Sequence, residues 1–270
     1  MNGPGEIVLN RYLRVLGVSR REPGLAALAE LTSAHVRRIP FENVSKLYHR
    51  KDAGMRLPDL ARFLDGIERH HFGGTCYSNN FHFHELLAHL GYRVSLCGAD
   101  MSAPDVHVVN TVDLAGRPYL VDVGYAAPFL SPLPLDLDRD HEVTSGSDRY
   151  VLRPRDPAGR SRVELYRDGR LHHGYQVNPR PRRIQEFEAI IAASFDEDAT
   201  FMNALLVARF FPDRSVTLRN LTLTQARERS STVSRLSHRD ELPEAIERHF
   251  GIARDITRRA LEGVDLTASP

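Results

Sequence analysis

The chain predicts an α+β fold in about three parts, because its hydrophobic period changes twice along its length. Helix-spaced apolar residues fill the first third, and β-branched and aromatic runs bounded by turn residues follow Gly91. A mixed segment follows Asn178-Pro179-Arg180-Pro181, which reads as a linker. The 270 residues, 41% of them apolar, suffice for a real core, as one large domain or two to three small ones.

In the first part, Leu25, Leu28, Ala29 and Thr32 recur at helical spacing, and Pro40 stops that helix. Pro58 opens a second helix with Leu60, Phe63, Leu64 and Ile67 on one side. A third runs from about Ser78 to Leu90. Its Phe83, Leu86, Leu87 and Leu90 follow i, i+3, i+4, i+7, and Gly91 ends it. Residues 94–97, 106–112 and 119–123 then read as strands, and 162–166 with 171–177 as a hairpin about Asp168-Gly169. Beyond the linker, 184–193 and 201–210 read as helices, and 215–224 as strand pairing about Arg219-Asn220. Leu242–Phe250 reads as a last helix, with Pro243 near its start and Gly251 after its end. There is no internal repeat.

Composition removes several classes of function. Lys+Arg number 36 against 35 Asp+Glu, so no general charge favours nucleic acid or a membrane surface. Only Lys46 and Lys51 are lysines; the other cations are arginines. Two cysteines, Cys76 and Cys97, make neither a disulfide framework nor a C-x-x-C pair. Residues 1–12 carry no long apolar run, and no stretch approaches the ~20 apolar residues of a membrane span. The expectation is a reduced, soluble, cytoplasmic protein of undetermined oligomeric state. His70, His71, His82, His84 and His89 are dense. However, His82 and His84 point about 200° apart on a helix, and no H-E-x-x-H spacing occurs, so no metal is expected.

Cys76 follows Gly73-Gly74-Thr75 and stands just before a predicted helix. Glycines permit a sharp turn and close approach by a ligand. A helix N-terminus offers unpaired N–H groups and a partial positive charge, which favour a thiolate and could stabilise an oxyanion. A buried core thiol is the alternative, and local context does not separate the two. Cys97, between Leu96 and Gly98 in an apolar strand, has nothing nearby to ionise it and reads as core.

His107 interrupts the run Val106-His107-Val108-Val109, and Asp122 interrupts Leu120-Val121-Asp122-Val123. Polar groups inside apolar runs call for partners. If Val112 pairs with Arg117 across the turn Asp113-Leu114-Ala115-Gly116, His107 falls directly opposite Asp122 on one face. A bulge at Gly116 would instead put them on opposite faces. With Cys76 they would form a nucleophile, a base and a carboxylate that orients the base. Unrelated polar residues with partners of their own remain the alternative.

Several motifs stand in a recognisable order: Tyr12-Leu13 with Val15-Leu16-Gly17; His35 with Ile39-Pro40-Phe41-Glu42-Asn43; Gly73-Gly74-Thr75-Cys76-Tyr77 with Asn80. Leu86-Leu87 with Leu90-Gly91-Tyr92, His107, and Tyr119-Leu120-Val121-Asp122-Val123-Gly124-Tyr125 follow. Through almost the whole chain this resembles the arylamine N-acetyltransferase family, more thinly around Phe250-Gly251-Ile252. The resemblance implies an N-terminal helical bundle over 1–90 carrying Cys76 and a central β-barrel over 91–180 carrying His107 and Asp122. A C-terminal α/β lid over 181–270 completes the fold. It further implies ping-pong chemistry, in which Cys76, His107 and Asp122 are catalytic and no metal takes part. An acetyl group passes from the co-substrate acetyl-CoA to Cys76, then to an arylamine, hydrazine or hydroxylamine nitrogen.

Two positions depart from the family pattern: Phe72 stands where it has Arg, and Ser78 where it has Glu. Both changes should bear on selectivity and on ion pairing around Glu42, with Arg69 a replacement cation nearby. The run Arg180, Arg182, Arg183 could meet coenzyme phosphates, although a solvated linker is the simpler reading. Phe81 and Phe83 could line an acceptor pocket, with core packing the simpler reading for Phe83. Alternative functions are an amide synthase closing a macrolactam from a carrier-bound acyl chain, a cysteine hydrolase, and a binding protein with a dead site.

Overall fold

The computed structural model describes residues 4–50, 57–228 and 230–268; Lys51 and the ends of the first and third parts lie outside them. Five helices come first: α1 (Pro4–Leu16), α2 (Leu25–Arg38), α3 (Val44–His49), α4 (Leu60–His70) and α5 (Cys76–His89). The apolar stripes read from sequence meet in one core, where Tyr12, Leu16, Leu28, Leu64, Phe83 and Leu87 are buried. Asp59 accepts from the Arg62 amide at 2.8 Å, so α4 begins two residues after Pro58. Helix α5 starts at Cys76 itself, earlier than the Ser78 expected.

Strands β1 (Phe41–Glu42), β2 (Arg93–Asp100), β3 (His107–Leu114), β4 (Arg117–Val121) and β5 (Leu133–Pro134) come next in strand order, then β6 (His141–Ser145), β7 (Asp148–Arg153), β8 (Ser161–Arg167) and β9 (Arg170–Pro181). All but β1 form an antiparallel sheet in the order β5-β4-β3-β2-β9-β8-β7-β6, a nearly closed barrel around Cys97, Val109, Leu120, Phe129, Val163 and Leu165. Asp168 and Gly169 take left-handed φ of 50° and 75°, the turn that the sequence predicts for β8 and β9.

The linker expected at 178–181 is instead the end of β9. Ala99 pairs with Val177 and Cys97 with Pro181, so four residues of β9 span two of β2. The prolines fall where a bulge has already interrupted the ladder and no amide donor is required. The Arg182 amide then bonds Leu96 O at 2.8 Å.

After a 3₁₀ turn at Ile184–Phe187 come α6 (Glu188–Ala193), β10 (Leu206–Phe210), β11 (Arg214–Arg219), β12 (Thr222–Arg227) and β13 (Ser230–Arg235). The chain closes with α7 (Leu242–Phe250) and α8 (Arg254–Leu261). The helix expected over 201–210 is wrong: Thr200–Met202 is one 3₁₀ turn, and β10 is a strand. Its Leu206-Val207-Ala208 run is apolar on both faces because both are covered, and such a run carries no period. The sheet order is β1-β10-β11-β12-β13, so a two-residue strand from the helical part forms its edge.

Candidate active site

Segment 40–43 builds the loop that presents Cys76. Glu42 N donates to Gly74 O at 3.1 Å, and Glu42 Oε1 accepts from Gly73 N at 3.0 Å. Glu42 Oε2 accepts from Ser45 N at 2.8 Å. A Cβ on Gly73 would stand 1.9 Å from Pro40 O, so only glycine fits. Asn43 ties this segment to the third part, donating to Ala204 O at 2.7 Å and accepting from Leu206 N at 2.9 Å. Thr75 is the extended residue before α5, and Cys76 is that helix's first residue, half-buried, with Sγ 3.8 Å from Val106 O.

His107 and Asp122 meet, but in a register that the sequence reading did not foresee. Leu114, not Val112, pairs with Arg117, across a two-residue turn of Ala115 (φ 54°) and Gly116 (φ 83°). The shift is two residues, so side-chain parity survives and the pair are diagonal neighbours on one face. His107 Nε2 lies 2.8 Å from Asp122 Oδ2. Tyr175 OH donates to the same oxygen at 2.8 Å, while Oδ1 accepts from Asn80 Nδ2 at 2.8 Å and Gly124 N at 3.0 Å. Burial opposes charge on Asp122, but His107 and these donors outweigh it and hold the carboxyl below its usual range. Burial likewise opposes a charged His107; Asp122 and a hydrogen bond with Cys76 overcome it and raise the imidazole to about 10.

Asn80 also accepts from Val123 N at 2.9 Å and donates to Val108 O at 2.7 Å, locking α5 to β3 and to the segment that follows β4. Gly124 closes the arrangement: a Cβ there would stand 2.8 Å from Cys76 Cα and 2.5 Å from Asn80 Nδ2. Gly124→Ala is expected to cost about 1–3 kcal/mol, read from denaturant midpoints, and to lower activity in the protein that remains folded. Unchanged values for both would mean that the loop yields freely.

The other residues singled out by sequence have different surroundings. Cys97 is fully buried in the barrel, its thiol pushed up by burial and 3.6 Å from Thr111 Oγ1. Phe72 packs among Val44, Leu47, Leu205 and Phe250, with its ring 5.7 Å from that of Tyr48. Glu42 is buried, its oxygens are held by backbone amides, and it has no ion pair among the described residues. Arg69 does not replace the missing cation; it is exposed, 3.9 Å from Asp65. Ser78 lies under Gly74. Phe83 is core, and Phe81 packs in the cluster of Tyr77, Phe187 and Ile191 that Cys76 adjoins. Arg182 pairs with Asp105 at 3.1 Å and Glu186 at 2.7 Å, an anchored residue at the end of β9. His82 bonds Glu85 and Pro58 O, His84 bonds Asn110, and among the described residues no cluster with metal-ligand geometry occurs. Also among the described residues, no helix is long and apolar enough to cross a membrane.

A cavity of about 410 Å³ opens beside Gly73-Gly74-Thr75, walled by Leu57, Phe63, Phe72, Tyr77, Ile191 and Phe195. Sequence reasoning missed Tyr175, whose role depends on a fold-back of 53 positions, and gave Asn80 no task beyond its motif.

A family profile described as N-acetyltransferase matches residues 24–259. The chain is 27% identical over 278 residues to the arylamine N-acetyltransferase of Mycolicibacterium smegmatis, covering 95% of this chain and 98% of that one. It is 37% identical over 120 residues to proansamycin X synthase of Amycolatopsis mediterranei (strain S699), covering 40% of this chain and 45% of that one, so it spans less than half of that relative. The solved structure of Mycobacterium marinum arylamine N-acetyltransferase in complex with CoA superposes with a TM-score of 0.78 at 22% identity, covering 95% of this chain and 99% of that one, which shows a shared fold. Together with the profile match over most of its length, these likenesses show that the chain belongs to the arylamine N-acetyltransferase family of acyltransferases.

Proposed function

We propose that this protein carries an acetyl group from acetyl-CoA, through a thioester on Cys76, to the nitrogen of an arylamine, hydrazine or hydroxylamine. The observation that carries the reading is the buried His107–Asp122 pair, 2.8 Å apart, with Cys76 at the start of α5 within electrostatic reach of the imidazole. With the thiol proton already held on His107 as the imidazolium, Sγ attacks the donor carbonyl, and the first amides of α5 face the developing oxyanion. The CoA sulfur leaves with the proton from His107. An amine then attacks the Cys76 thioester, His107 takes the amine proton, and Sγ departs. Asp122 fixes the ring with Nε2 committed to itself, which leaves Nδ1 for the sulfur, and it balances the imidazolium. The chemistry asks for a free thiol and no metal, and we place the enzyme in the cytoplasm, with an acyl-CoA and a small amine as partners and neither nucleic acid nor membrane.

The relative solved with CoA supports the donor, and the arylamine N-acetyltransferase of M. smegmatis supports the acceptor. The partial match to proansamycin X synthase favours a second reading, an amide synthase taking a carrier-bound acyl chain. Initial rates with acetyl-CoA and an arylamine, each varied, test the proposal: a covalent intermediate predicts parallel double-reciprocal lines. Intersecting lines would contradict it. No acylation of any amine, with ready acylation by a carrier-bound thioester, would put the second reading in its place.

A further inference from the structure

The cavity beside the nucleophile loop contains a cation with no counter-ion among the described residues. Lys46, half-buried on α3, donates from Nζ to Ser194 Oγ at 2.8 Å and lies 4.2 Å from the centroid of the Phe195 ring. Among the described residues no carboxylate pairs with it. Burial pushes its ammonium down to about 8, partly offset by the charge of Cys76, so the two groups are within electrostatic reach. The other ionisable groups lining the cavity have tasks of their own. Asp59 caps α4, Arg62 bonds His49 at its exposed rim, and Tyr77 donates to Asp105 O. A hydroxyl and a ring face compensate a partly desolvated ammonium less well than an anion does. The apolar walls adjoin the cluster that includes Cys76. Lysine presents a point charge rather than a fork, and with Arg62, the other cation among the lining residues, exposed and bonded to His49, the cavity of about 410 Å³ suits a small anionic ligand seated on Lys46 better than a polyphosphate.

We propose that Lys46 is a specificity-determining residue that binds the carboxylate of a substrate whose reacting end lies at Cys76. The inference rests on the acyl-transfer reading above. The carboxylate can stand on the amine acceptor or on the donor's acyl group. The test compares kcat/KM for two matched pairs: an aminobenzoate against a neutral aniline with acetyl-CoA, and succinyl-CoA against butyryl-CoA with the neutral aniline. In one pair the ratio of carboxylate to neutral substrate should fall about tenfold or more in Lys46→Met and be largely kept in Lys46→Arg. The pair that responds identifies the source. Lys46→Gln gives the same comparison should the methionine variant not fold. Ratios unchanged in both pairs, or lost equally in Lys46→Arg, overturn the assignment. Labelling of Cys76 by acetyl-CoA is followed in every protein. A parent that never acetylates there defeats the acyl-transfer reading, whereas an acetylated parent with flat ratios defeats only the role of Lys46.

Discussion

Replacing Cys76 by serine is expected to stop acetyl transfer, with kcat/KM falling about ten-thousandfold or more, while Cys97→Ser keeps the parent rate. The two thiols differ in surroundings rather than in kind. Cys76 opens α5, is partly exposed, and lies within electrostatic reach of His107. A serine hydroxyl there gives up its proton far less readily than a thiol and is the poorer leaving group from the acetylated state. Cys97 is sealed in the barrel with Thr111 as its polar neighbour, so serine there exchanges apolar burial for a hydroxyl and costs stability, about 1–3 kcal/mol by denaturant titration. Equal loss of activity in both variants, each folded, would contradict the assignment.

Asp122→Asn should lower kcat/KM by about 10³–10⁴ without dismantling the barrel, since an amide keeps the carboxylate's shape and loses its charge. The pH dependence of stability should change with it. Folding raises His107 from 6.5 to about 10, so its contribution is fully present below pH 6.5 and is lost as pH rises through about 10. Asp122 is depressed from 3.8; its contribution is present above that value and is lost as pH falls through the lower folded one. Without the carboxylate, burial pulls the imidazole's pKa down against only Cys76, so the loss of stability between pH 6.5 and about 10 should shrink or vanish. The stability difference from the parent should be greatest in mildly acidic solution, between 3.8 and 6.5, and narrow as pH rises toward 10. Urea midpoints across the pH range read this directly. A variant whose midpoints run parallel to the parent's would mean that the pair carries no linked charge.

Elements specified by neighbouring residues were legible from local signals. Helical spacing in α2, α4 and α5 and the Asp168-Gly169 turn depend on residues a few positions apart, and they folded as read. The meeting of His107 with Asp122 was legible because parity survives a two-residue slip, although the turn chosen was wrong. What failed was set by distant partners. Segment 201–210 is apolar throughout, and only its place between β1 and β11 makes it a strand. The prolines at 179 and 181 announce a linker until β2 is seen to pass beside them. Glu42 seemed to want a cation because an arginine is expected at 72; amides of Gly73 and Ser45 serve it instead, and Phe72 belongs to a different core. Tyr175 and Lys46 carry no local mark at all. Their significance comes from what the fold sets beside them.

The most direct test of the account is the mass of the intact protein after brief exposure to acetyl-CoA with no amine present, followed by mapping of the modified peptide. The expected result is one acetyl group, on the peptide that contains Cys76, which disappears when an arylamine is added and never forms in Cys76→Ser. Acetylation that maps to another residue, or efficient N-acetylation of an amine by Cys76→Ser, would contradict a route through this thiol.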